Sequence, residues 1–122
     1  IAILSVGHMF EEAVKTRDKL IEQGYEPTLI NMRFIKPIDE AMIEKVCQTH
    51  KLIAVIEENV QTGACGEHVS EYVMRNMLPS HVLTLALPDD YIEHGSVDVL
   101  RKMTGIDSES MSEKIIETYK EL

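Results

Sequence analysis

Between Val55 and His68 the chain reads VIEENVQTGACGEH, where Glu57, Glu58, Cys65 and His68 are side chains able to do chemistry. Three uses fit these residue types: a phosphate cradle at Gly63 and Gly66, acid–base work by a carboxylate pair, or a thiol nucleophile. A cradle needs free N–H groups, the positive end of a helix and usually a cation. The loop can offer the first two. However, no Lys or Arg occurs between Lys51 and Arg75, whereas Glu57, Glu58 and Glu67 do. The spacing also matches neither GxGxxG nor GxxxxGK[ST]. The small residues therefore read better as a tight turn that lets a helix pack close to a sheet.

The carboxylate pair has a geometric obstacle. Adjacent strand residues point to opposite faces, so Glu57 and Glu58 do not readily converge on one atom. One of them can still enter a pocket with a raised pKa. The plainer reading, which we favour, is that they end the strand and bond to neighbouring N–H groups or a partner subunit. Cys65 precedes a helix whose dipole would lower a thiol pKa, but the surrounding glutamates oppose that, so a nucleophile is disfavoured. The histidines His8, His50, His68, His81 and His94 make no HExxH or other metal spacing. His8 and His68 flank the expected crevice, though a lone loop histidine is usually a surface or hydrogen-bonded residue. In NMRFIKPIDE (31–40), Arg33, Lys36 and Asp39 surround a strand end. That cluster could bind an anion; more often such residues pair to fix a strand-to-helix corner, or meet another domain.

The elements that must position these residues alternate in period. Apolar runs at 1–6, 27–35, 51–58 and 81–88 read as strands. The first helix shows Phe10, Ala13, Val14, Leu20 and Ile21 on one face and is stopped by Gly24. Asp39 can cap a second helix with Met42, Ile43, Val46 and Cys47 inward. The third carries Val69, Tyr72, Val73 and Met77. Two short helices close the chain, one after Ser96 and one from about Asp107 with Met111, Ile115, Tyr119 and Leu122 inward. Strand–helix alternation implies right-handed βαβ units and a parallel sheet covered on both faces, here in order 2-1-3-4. Continuous apolar strands fit burial on both sides. The fold class is thus α/β: three layers, α/β/α, with a mostly parallel sheet of about four to five strands. Ligands in such sheets sit beyond the carboxyl ends of the strands, where the winding reverses. That brings the 6–10 loop beside the 57–66 loop.

The totals narrow the class. A chain of 122 residues suits one domain, 1–122, with a real core. A net charge of −9 disfavours nucleic acid as a partner. No apolar run approaches the roughly 18 residues of a membrane span. Cys47 and Cys65 fit a reduced, cytoplasmic chain better than a disulfide framework. The chain opens on Ile1 inside an apolar run, so it is expected to be a fragment of a longer polypeptide.

Three segments, NMRFIKPIDE (31–40), VIEENVQTGACGEHV (55–69) and LALPDDYIEHGS (85–96), resemble in order and spacing the C-terminal domain of 1-deoxy-D-xylulose-5-phosphate synthase, a transketolase-type enzyme. The tail TGIDSESMSEKI (104–115) is similar to that family's closing segment. The looser V-x-EEN pattern is shared with transketolases and 2-oxoacid dehydrogenase E1 β subunits, which remain alternative parents. A stand-alone small-ligand or regulatory module is the rival from another class.

The resemblance implies a bacterial, cytoplasmic parent transferase. It would join pyruvate to glyceraldehyde 3-phosphate with loss of CO2, for isoprenoid and thiamine biosynthesis. Thiamine diphosphate and Mg2+ would be held by the parent's other domains, and none is expected on this fragment, which would be inactive alone. It implies partners in those domains and in a homodimer. Arg33, Glu57, Glu58, Asn59, Gly63, Gly66, Asp89 and His94 would then form an interdomain or dimer surface. Gly63-Ala64 departs from a family glycine pair. The family also carries an antiparallel edge strand before the segment that starts at Ile1; without it the sheet edge would lie open.

Overall fold

Ala2–Val6 consists of five residues with no water-facing side, and all five are buried as strand β1. A computed structural model describes residues 1–32, 39–57, 65–86 and 107–122. After β1 come a 3-10 turn (Gly7–Met9), α1 (Phe10–Glu22), β2 (Thr28–Met32), α2 (Glu40–Thr49), β3 (Leu52–Ile56), α3 (Cys65–Arg75), β4 (His81–Leu85) and α4 (Ser108–Lys120). The strands form one parallel sheet in the expected order, β2-β1-β3-β4. Leu4 stands opposite Ile30 on one side and Val55 on the other.

Strand alternation divides the core in two. Leu4, Ile53 and Val55 face Ile43, Val46, Val69 and Val73 of α2 and α3. Ile3, Leu52, Ala54 and Ile56 face Ala13, Leu20, Met111 and Ile115 of α1 and α4. Each fully buried aliphatic side chain contributes on the order of 1.5–3 kcal/mol. The central strands β1 and β3 are buried throughout, whereas β2 and β4 are only partly so. Double-sided burial holds for the middle of the sheet and fades at its edges.

Four details differ from the sequence reading. The buried face of α1 is Glu12, Ala13, Thr16 and Leu20, continuing from Met9 of the 3-10 turn, while Phe10 and Ile21 are exposed. Thr16 tolerates burial because its hydroxyl donates to the Glu12 carbonyl at 2.8 Å. Met77 lies beyond α3 and is 89% exposed. Leu122 lies beyond α4 and is also exposed. α4 is not short, running 13 residues. The helix expected after Ser96 lies outside the described residues.

The ends of the helices follow local chemistry. Asp39 Oδ1 accepts the Met42 N–H at 3.0 Å and caps α2, as expected. Gly24, at φ 92°, ends α1, with the Tyr25 N–H donating to the Leu20 carbonyl and the Gly24 N–H to that of Ile21. At the amino ends of the strands, Ser80 Oγ donates to the His50 and Cys47 carbonyls. His50 Nε2 meets Thr28 Oγ1 at 2.8 Å, tying α2 to β2.

Candidate functional site

Glu57 follows β3 directly, and its N–H donates to the Leu85 carbonyl at 3.0 Å, extending the β3–β4 pairing. By alternation its side chain lies on the same face as Ile53 and Val55, toward α3. There it is 1% exposed, and its Oε1 accepts the Gly66 N–H at 3.3 Å. Its Oε2 has no hydrogen-bond partner among the described residues. Burial pushes this carboxyl above its ordinary range. The Gly66 and Cys65 N–H groups pull it partly back, Glu67 pushes it up further, and His68 pulls it down.

α3 begins at Cys65, and its first turn is seated tightly. Gly66 lies against Thr84 of β4, where a Cβ would come within 2.5 Å of the threonine methyl. Only glycine permits that approach. The tight helix–sheet packing read from the small-residue loop is therefore realised at Gly66. Cys65 is fully buried, with its sulfur 3.7 Å from Met32 Sδ. Burial, and then the neighbouring Glu57 carboxyl, push its thiol up to about 11. A thiol so displaced is the opposite of an activated nucleophile, in line with the sequence reading. His68 is half-buried, and its Nε2 is a second buried atom without a partner among the described residues.

Of the residues singled out from sequence, the fold brings Glu57, Cys65, Gly66 and His68 together. His8 lies in the 3-10 turn after β1, at the same end of the sheet. His50 and His81 lie at the opposite end. Cys47 is on the core face of α2, as expected. Arg33, Lys36, Glu58, Asn59, Gly63, Asp89 and His94 lie outside the described residues. Open grooves occur elsewhere on the described surface. One of about 570 Å3 runs between α1 and α4, and one of about 740 Å3 runs along α3 beside Thr84.

Sequence reasoning missed Glu12. This buried acid on α1 accepts the Ser108 N–H at 3.1 Å and so caps α4 across the interface. The Asp107 side chain, in the N-cap position, makes no capping bond. A glutamate in the first turn of a helix looks like an ordinary dipole partner. Nothing local in the sequence reveals that it serves a second helix.

The arrangement at Glu57 disfavours an anion. The N–H groups of Gly66 and Cys65 are turned to the Glu57 carboxyl itself, and Glu67 adds negative charge nearby. Among the described residues no three His, Cys, Asp or Glu side chains could together hold a metal ion. No described helix is long and apolar enough to cross a membrane.

Residues 1–111 match the family model for the transketolase C-terminal domain. Among similar proteins is the 1-deoxy-D-xylulose-5-phosphate synthase of Caldanaerobacter subterraneus subsp. tengcongensis, 34% identical over 100% of this chain and 20% of the relative. That of Vibrio atlanticus is 39% identical over 98% of this chain and 18% of the relative. The chain thus spans about a fifth of the length of the curated relatives it matches. A solved structure described as a split gene transketolase, inactive beta4 tetramer, is similar in fold: TM-score 0.83, 20% identity, 95% of this chain and 37% of that one.

Proposed function

From the premise that this chain belongs to the transketolase C-terminal domain family, we propose that it is the C-terminal domain of a 1-deoxy-D-xylulose-5-phosphate synthase. The observation that carries this reading is the match to synthases of that name along essentially the whole chain but only a fifth of their length. The parent would condense pyruvate with glyceraldehyde 3-phosphate and release CO2 in the bacterial cytoplasm, using thiamine diphosphate and Mg2+. This domain would pack against the rest of the enzyme and support a homodimer, with Arg33, Glu57, Glu58, Asn59, Gly63, Gly66, Asp89 and His94 at or behind the contact.

The described residues do not fit a magnesium diphosphate. Gly66 already donates to Glu57, the Glu57 carboxyl is sealed from water, and Glu67 would repel the phosphates. We therefore assign cofactor binding to the remainder of the parent, and no chemical step to this domain. A chimera tests the reading. The matching fifth of the Caldanaerobacter enzyme is replaced by this chain, and pyruvate consumption with glyceraldehyde 3-phosphate is measured. Retained turnover and assembly are expected, with none from the chain alone. Turnover by the chain alone, or a chimera that assembles but is inactive, would overturn it.

A second reading keeps the fold and changes the parent to a transketolase or a 2-oxoacid dehydrogenase E1 β subunit. The fold, which is shared with a structure described as a split gene transketolase, is compatible with it. A chimera active only on transketolase substrates would select it.

A further inference from the structure

Glu57 presents an unusual combination: a carboxyl almost wholly shielded from water, a long N–H bond from Gly66 with the Cys65 N–H also turned toward it, and one oxygen with no partner among the described residues. A carboxylate in such a place is strongly unfavourable, whereas a neutral acid is tolerable. Among the described residues, the charged groups around it do not reverse this. On α3, Glu67 opposes ionisation and His68 favours it. Cys65 beside it is a neutral thiol below about pH 11. On α2, Glu44 is engaged by the Tyr72 hydroxyl at 2.8 Å, which leaves Glu40 and Lys45 as that helix's other charges. β1 and β2 carry no titratable side chain, and the His81 of β4 lies at the far end of its strand.

The carboxyl cannot relieve its position by a small shift of the helix. The Gly66 backbone is already pressed against Thr84, and Cys65 is packed against Met32. Among the described residues, the first turn of α3 is what must lift from the sheet for water to reach a charge on Glu57.

We propose that Glu57 is a proton-operated latch on the first turn of α3: the neutral acid keeps Cys65 and Gly66 seated dry against the sheet, and ionisation admits water and frees that turn. The latch is a property of β3, α3 and β4 and does not depend on which enzyme the domain belongs to. Closed and open states differ in proton affinity. Between the ordinary carboxyl range and the value reached in the closed state, opening therefore grows toward tenfold for each pH unit. Local openings of this kind are read amide by amide.

Hydrogen exchange of the Cys65 and Gly66 amides is compared between the wild-type protein and Glu57→Gln from pH 4 to 9, with the Val73 amide as an internal standard. Glutamine keeps the acceptor for the Gly66 N–H and cannot ionise. The wild-type-to-variant ratio is expected to stay near one at pH 4 and to climb by about tenfold or more by pH 9 at residues 65 and 66 only. A ratio flat with pH, or one rising equally at Val73, overturns the latch. The carboxyl carbon shift of Glu57 in the wild type is followed by NMR and needs no variant. A midpoint well above 4.5, the ordinary glutamate value, supports the proposal, and a midpoint at that value overturns it.

Discussion

Gly66 and Thr84 are in backbone-to-side-chain contact so close that a Cβ on residue 66 would lie 2.5 Å from Thr84 Cγ2 and 2.6 Å from its Oγ1. Both branches of the threonine lie within this distance, so neither can yield by turning into the other's place. The contact fixes how near α3 stands to the edge strand, and so where Glu57 finds its N–H donor.

Gly66→Ala is therefore expected to destabilise the protein by about 1–3 kcal/mol, the usual range for overpacking, even though alanine is the better helix former. Thr84→Ala would remove both clashing atoms and leave only Thr84 Cβ, at 3.1 Å. Much of the loss should then return in the double variant. Urea unfolding of the four proteins in a mutant cycle measures this. Additive effects would show that some other contact, not Thr84, limits residue 66.

α1 and α3 end in the same backbone motif with different residues at its left-handed position. Leu78 donates to the Val73 carbonyl and Met77 to that of Met74, as Tyr25 and Gly24 do at the end of α1. The position is Gly24 in one case and Met77, at φ 51°, in the other. A side chain there costs about 1–2 kcal/mol. Glycine's greater freedom when unfolded offsets part of that. Because Met77 is highly exposed, Met77→Gly loses little packing and should stabilise by roughly 0.5–1 kcal/mol. A lower urea midpoint would contradict the motif.

Met77 also marks where the sequence was legible. The period of Val69, Tyr72 and Val73 correctly sets the inward face of α3, and extending it by one step lands on a residue the chain has already turned outward. In α1 the error is rotational. Phe10 and Ile21 are the most apolar choices, yet the true stripe passes through Ala13 and Thr16, small enough for close packing against its neighbours. Parallel pairing followed from strand–helix alternation, and the expected order 2-1-3-4, one of the few that right-handed crossovers allow, is the one observed. Of the site, the approach of Gly66 and the inert character of Cys65 were readable from local residue types. The cap from Glu12 to Ser108 joins residues far apart in sequence, and no periodicity encodes it.

That cap makes a separate prediction. Glu12→Ala leaves the Ser108 N–H without its carboxylate and should destabilise by about 1–3 kcal/mol, with the first turn of α4 exchanging fastest. Glu12→Gln keeps an acceptor and gives up only charge, so a loss of about 0.3–1 kcal/mol is expected. Equal losses in the two variants would mean that charge alone, not the bond, is what Glu12 supplies. Lys15, 3.5 Å from Glu12 Oε1 and largely exposed, should matter much less.

The last prediction concerns the alkaline limb of stability. Cys65 titrates near 9 when unfolded and about 11 when folded. A group whose folded value is raised contributes fully below its unfolded value and loses that contribution as pH rises through the folded one. Cys65 thus favours folding below pH 9, and that advantage should fade between about pH 9 and 11. The two limits differ by about 2–3 kcal/mol at 1.4 kcal/mol per tenfold change in proton affinity. Cys65→Ala removes this dependence and adds a constant packing penalty. The stability gap between wild type and variant should therefore narrow from pH 8 to 11, while other titrating groups such as Tyr72 cancel in the comparison. Unfolding midpoints across that range provide the readout. A gap independent of pH would place the Cys65 thiol in contact with water, contrary to its seat beneath α3.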